Sequence, residues 1–120
     1  MRKLWQSLVL IAGLAGPLVA AEPAVPELTR DVLPLVKVHC VKCHGPAKQE
    51  AELSLHTAAA LAAGGQNGAV VAAKDLDGSL LWRRVEADEM PPEEPLSAAD
   101  KDLLKRWIAA GAPGLVIVEY

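Results

Sequence analysis

The two cysteines of this chain, Cys40 and Cys43, stand three residues apart, and His44 follows directly. Such a pair makes a poor staple, because a disulfide across so small a loop removes little entropy from the unfolded chain. The chain must therefore be held together by other means. Its composition makes that hard: there is no Phe, and only 3 Trp and 1 Tyr, so Leu, Val and Ala must supply most of the core. A large, flat, apolar cofactor bound at the centre would relieve that shortage.

The amino-terminal stretch reads as an export signal. Arg2 and Lys3 give a basic start, Leu4 to Val19 is mostly apolar, and Val19-Ala20-Ala21 offers small residues for cleavage. That order predicts a secretory signal over residues 1–21, one domain over 22–120, and a periplasmic location. The alternative is an uncleaved anchor, which needs about 20 clean apolar residues to span a bilayer. This run is shorter and carries Pro17 near its end. No Cys follows it, which argues against a lipid-anchored start. Without Arg2 and Lys3, 10 basic residues face 15 acidic ones, a net charge of −5. Nucleic-acid binding needs the opposite balance. No other segment has the length and apolarity of a membrane span.

Along the chain the pattern is all-α: short helices joined by long loops, with no internal repeat. A first helix is expected from Arg30 to His39, capped by Thr29, with Pro34 tolerated in its first turn. Glu52 to Leu55 reads as extended. Thr57 is placed to cap an alanine-rich helix that stops at Gly64-Gly65. The glycine-rich loop that follows, through Gly68, lacks the Lys-Ser/Thr pair of a phosphate cradle. Asp75 or Asp77 is expected to cap a helix reaching about Val85. Met90-Pro91-Pro92 cannot be helical. The clearest helix follows Ser97, with Asp100 as an acid at the third helical position. Its stripe of Leu103, Leu104, Trp107 and Ile108 has helical spacing, and Gly111 and Pro113 end it.

Cys40-Val41-Lys42-Cys43-His44 has the form C-x-x-C-H, the attachment signal for c-type haem. Residues three and four apart share one face of a helical turn. Both thiols can then reach the two vinyl groups on one porphyrin edge and form thioethers, while His44 presents a neutral imidazole to the iron. A zinc site would need a second Cys or His pair, and His39 and His56 do not form one. A thioredoxin-like centre would need a βαβ context. The expected cofactor is therefore one covalent haem c.

The other axial position has two candidates. Met90, 46 positions after His44, is the lone Met of the chain beyond the signal and sits between acids and two prolines, away from any periodic apolar face. A thioether there would close the iron and raise its reduction potential. His56 is the competing ligand. His39 adjoins Cys40 and is read as a helix-end or surface residue. Three supporting roles are weighed as well. Trp107 is expected to pack the last helix on the first or on the haem edge. The Pro46 carbonyl is a candidate partner for the outer nitrogen of His44. Arg83 and Arg84 are candidate partners for haem propionates. Residues 75 to 102 hold nine acids and three bases, and Glu86, Asp88, Glu89, Glu93 and Glu94 flank Met90. That rim is either ordinary solvated surface or a face that steers a basic partner.

The ordered motifs resemble a planctomycete-type cytochrome c domain. They are Asp31 to Val36, Cys40 to Pro46, Ala51 to Leu55, Gly64-Gly65, Ser79-Leu80-Leu81, Met90-Pro91-Pro92, Pro95-Leu96 and Trp107 to Ala112, spanning about residues 28 to 113. The resemblance implies a class I cytochrome c-like fold, with terminal helices crossing beside a buried haem. It implies attachment at Cys40 and Cys43 and axial ligation by His44 and Met90. Two departures stand out: Ala72-Ala73-Lys74-Asp75 replaces a loop that usually contains Pro-Gly, and His56 stands where an acid is more usual. The expected function is single-electron transfer between redox protein partners, without enzymatic turnover. The alternative is a haem enzyme or gas sensor, peroxidase-like or diatomic-binding, with an open or labile sixth iron position.

Overall fold

The computed structural model describes residues 24–116. The expected signal at 1–21 lies outside them. Among the described residues there is no strand, and isolated bridges pair His44 with Gln49 and Gly65 with Gly68. Four α-helices carry the fold: α1 (Leu33–His39), α2 (Ala58–Ala63), α3 (Leu80–Glu86) and α4 (Ala98–Ala109).

The first helix starts earlier than its sequence suggests. A π-helical turn, Leu28–Val32, runs directly into α1, and Glu27 rather than Thr29 is the capping residue. Pro34 explains the wide turn. It has no N–H, and its ring would press on the carbonyl four residues back. The i→i−5 bonds of the preceding turn, such as Val32 N–H to Glu27 O at 3.2 Å, let the chain meet that constraint without ending the helix. Asp31 adds a second hold, because its carboxylate accepts from the Glu27 N–H at 2.9 Å and from Arg30 at 2.8 Å.

Two helices follow their sequence signals closely. In α2 the Thr57 hydroxyl accepts from Ala60 N–H at 3.0 Å, and Gly64, with φ of 75°, ends the helix. In α4 the Ser97 hydroxyl accepts from Asp100 N–H at 3.1 Å. Its stripe is buried at Leu104, Trp107 and Ile108, and Leu103 is half-buried.

The cap of α3 differs from expectation. Ser79 is its N-cap residue, while Asp75 accepts from Gly78 N–H at 2.9 Å in a local turn ahead of the helix. The Ser79 hydroxyl is buried and faces inward. It accepts from Ala72 N–H at 2.9 Å and lies 3.1 Å from Ala72 O and 2.8 Å from Asp75 O. That knot sets the path of the Ala72–Asp75 loop, which Lys74 also ties to α4 through its N–H and the Ile108 carbonyl, 2.8 Å.

Helix α4 packs on the π turn and on α3. Trp107 is fully buried there, and its indole N–H donates to Pro113 O at 3.1 Å. Leu28, Val32 and Val36 from the first helix, Leu55 and Leu61 from the middle, and Trp82 and Val85 from α3 complete one continuous apolar cluster. Each such side chain contributes about 1.5–3 kcal/mol by leaving water.

Candidate functional site

The turn after α1 carries the chemistry-bearing residues. Cys43 N–H and His44 N–H both bond to Cys40 O, at 3.2 and 2.9 Å, so Cys40 to His44 form one tight helical turn. Gly45 follows, buried against that turn. A Cβ at Gly45 would collide with the Val41 carbonyl, so glycine is needed for the chain to fold back so sharply. Both cysteines are free thiols. Burial pushes the Cys40 thiol up to about 11, since a thiolate there would lose its solvent.

His44 is held from the far side of its own loop. Its Nδ1 lies 3.0 Å from Glu50 O. A carbonyl only accepts, so Nδ1 carries the proton and the neutral ring keeps its lone pair on Nε2, the form a metal requires. The partner is thus Glu50 rather than the expected Pro46. A 3-10 turn, Glu50–Glu52, aims that carbonyl, and it needs left-handed backbone at Ala51 (φ 56°) and Glu52 (φ 57°). Neither residue is glycine, so each position costs on the order of 1–2 kcal/mol. The expected extended run is consequently shorter and begins at Leu53.

Met90 arrives from the other direction. Helix α3 ends in a turn whose closing bonds run from Glu89 N–H and Met90 N–H to Arg84 O, at 2.9 and 3.2 Å. The Met90–Pro91 peptide is cis. Met90 is 38 % exposed.

These two segments face one cavity of about 250 Å³ that opens to solvent. Cys40, Cys43, His44 and Met90 all border it. Its other walls are mostly apolar and include Leu53 and Leu55 from the middle segment, with Val70, Leu81 and Val85. Leu53, Leu55 and Leu81 fall within the motifs that carry the family resemblance, whereas nothing in the sequence marks Val70 as a wall residue. His39 and Arg84 reach the rim as well.

The remaining candidates are placed differently. His39, at the end of α1, has Nε2 3.5 Å from Asp100 Oδ2 on α4. His56 does not border the cavity, and its Nδ1 lies 2.5 Å from Ser54 Oγ. Arg83 is exposed and lies in a neighbouring shallow groove with Leu80, Arg84 and Glu89. Trp107 packs within the helical core and not on the cavity. Among the described residues, no three His, Cys, Asp or Glu side chains converge as a metal cluster. Among the same residues, no helix is long and apolar enough to cross a membrane.

The family model described as Planctomycete cytochrome C matches residues 40–94, from the first cysteine through the loop after Met90. No curated protein and no solved structure matches the chain. The match leaves α1 and α4 outside its span. A cytochrome c domain implies covalent haem c, a haem-binding electron-transfer role and redox partners. Over residues 40–94 the chain matches the planctomycete-type cytochrome c family, which supports a cytochrome c domain of that type.

Proposed function

We propose that this protein is a monohaem c-type cytochrome that passes single electrons between redox protein partners. Cys40 and Cys43 form the thioether links, His44 is the proximal iron ligand, and Met90 is the distal one. The observation that carries this reading is the convergence of all four residues on one apolar cavity, although Met90 stands 46 positions from His44 in sequence.

The chemistry of the donor set fits the group. Two thiols, an imidazole with its lone pair on Nε2 and a thioether border walls that are otherwise mostly apolar. Bound haem supplies an iron that alternates between ferrous and ferric states. The protein's own residues do the rest. Glu50 O fixes the His44 tautomer. Leu53, Leu55, Val70 and Leu81 exclude water, which favours the less charged ferrous form. Retaining both axial ligands keeps atomic movement small, which favours fast electron transfer, and leaves no open iron position for a substrate. We further infer that residues 1–21 direct export to the periplasm and that residues 22–120 are the working domain.

Carbon monoxide tests the ligation. The reduced protein resists it if Met90 holds the iron, and Met90→Ala takes it up readily. Ready uptake by the unaltered reduced protein would replace this reading with the open-site enzyme or sensor.

A further inference from the structure

Met90 is poorly anchored by packing. It is 38 % exposed and stands outside the hydrophobic core cluster. Its approach to the cavity is therefore set by the turn before it. That turn passes through left-handed backbone at Asp88, φ of 59°, a conformation that Asp tolerates better than most non-glycine residues.

Two ion pairs grip this turn from different helices. The Asp88 carboxylate meets Lys101 Nζ on α4. The Glu89 carboxylate accepts from Arg84 Nη1 on α3 at 2.7 Å. The paired acids are the two residues immediately before Met90, and Lys101 is only 25 % exposed. Two of the five acids around Met90 are thus engaged within the protein, which weakens the case for a rim that serves only an outside partner.

We infer that the Asp88–Lys101 and Glu89–Arg84 pairs are positioning contacts that set how readily Met90 leaves the iron. The inference rests on the reading of Met90 as distal ligand. An outside ligand binds only when the thioether is away, so its apparent affinity scales with the population of that open state. An exposed ion pair is a small contribution, and losing one should raise that population about two- to five-fold. The braces also make ligation sensitive to salt, since at 1 M ionic strength charges are screened within roughly 3 Å.

The test titrates the ferric, haem-loaded protein with imidazole. Asp88→Asn keeps a residue that tolerates left-handed backbone and removes only the charge, and Glu89→Gln removes the other acid. Each single variant should bind imidazole about two- to five-fold more tightly, and the double variant more tightly still. Lys101→Gln breaks the same pair from the α4 side and should tighten imidazole binding about as much as Asp88→Asn does. Salt at 1 M should tighten binding to the unaltered protein and leave the double variant nearly unchanged. Unfolding midpoints measured in parallel separate global stability from ligation. Lower midpoints with unchanged imidazole affinity would overturn the inference and leave Met90 ligation standing. If the unaltered ferric protein lacks the red absorption of a thioether–iron bond, the Met90 reading itself fails, and the brace falls with it.

Discussion

Replacing Ser79 with Ala removes one oxygen atom and should cost this protein a large part of its stability. The residue is fully buried, and its hydroxyl is the hydrogen-bond partner of Ala72 N–H. One hydroxyl proton serves the Ala72 and Asp75 carbonyls, and Asp75 N–H already donates to Ala72 O at 3.0 Å. Alanine therefore strands the Ala72 N–H and deprives the Asp75 carbonyl of a donor. These bonds are part-buried, so a stranded N–H costs up to about 1–3 kcal/mol, and one ordinary hydrogen bond contributes about 0.5–1.5 kcal/mol. The expected loss is about 2–3 kcal/mol, which in a domain of this size lowers the melting temperature by roughly 10–20 °C. Urea unfolding checks it: the midpoint should fall while the slope stays constant. Ser79→Cys, nearly the same volume with a weak donor, should fall between the two. A loss under about 0.5 kcal/mol for Ser79→Ala would refute the idea that this hydroxyl holds the loop.

Other perturbations have equally definite outcomes. Leu104→Ala empties a fully buried position in α4 and should cost about 2–5 kcal/mol in urea unfolding, with spectra of the folded protein unchanged. The Arg30 guanidinium and the Glu27 N–H hold the Asp31 carboxyl below the usual carboxylate range. Its stabilisation is present above the unfolded value, near 4, and lost as pH falls through the lower folded value. The unaltered protein should therefore exceed Asp31→Asn in stability by a constant margin between pH 7 and about 5, and the margin should vanish under strongly acidic conditions. In protein made without haem, the Cys40 thiol, pushed up to about 11, should alkylate slowly at neutral pH. Its rate should rise about tenfold per pH unit until the thiolate predominates. A rise that levels off at about pH 9, as for an exposed thiol, would contradict the burial of that thiol.

Much of this architecture is legible in the sequence, and the illegible parts share a physical cause. Ser97, Thr57 and Gly64 act through their own side chain or its absence, so their roles can be read directly. The stripe of α4 is likewise a matter of spacing. The C-x-x-C-H turn and Met90 were identifiable, and the fold brings them to one cavity. What escaped reading depends on backbone atoms and on competition between neighbours. Glu50 supports His44 through a carbonyl that any residue possesses, aimed by left-handed backbone at Ala51 and Glu52. Asp75, Asp77 and Ser79 are all plausible caps of α3. The choice fell to Ser79 because its short side chain turns inward to knot the preceding loop, while Asp75 closes a turn of its own. Thr29 lost the first cap because the helix starts a full turn before Pro34 and absorbs the missing donor in a π turn.

The mass of the mature protein, made in a host able to assemble c-type cytochromes, tests the central claim most directly. The account predicts a polypeptide heavier by one haem, with a red colour that stays on the chain through denaturation and acid extraction. A mass equal to that of the amino acids alone, from such a host, would contradict it.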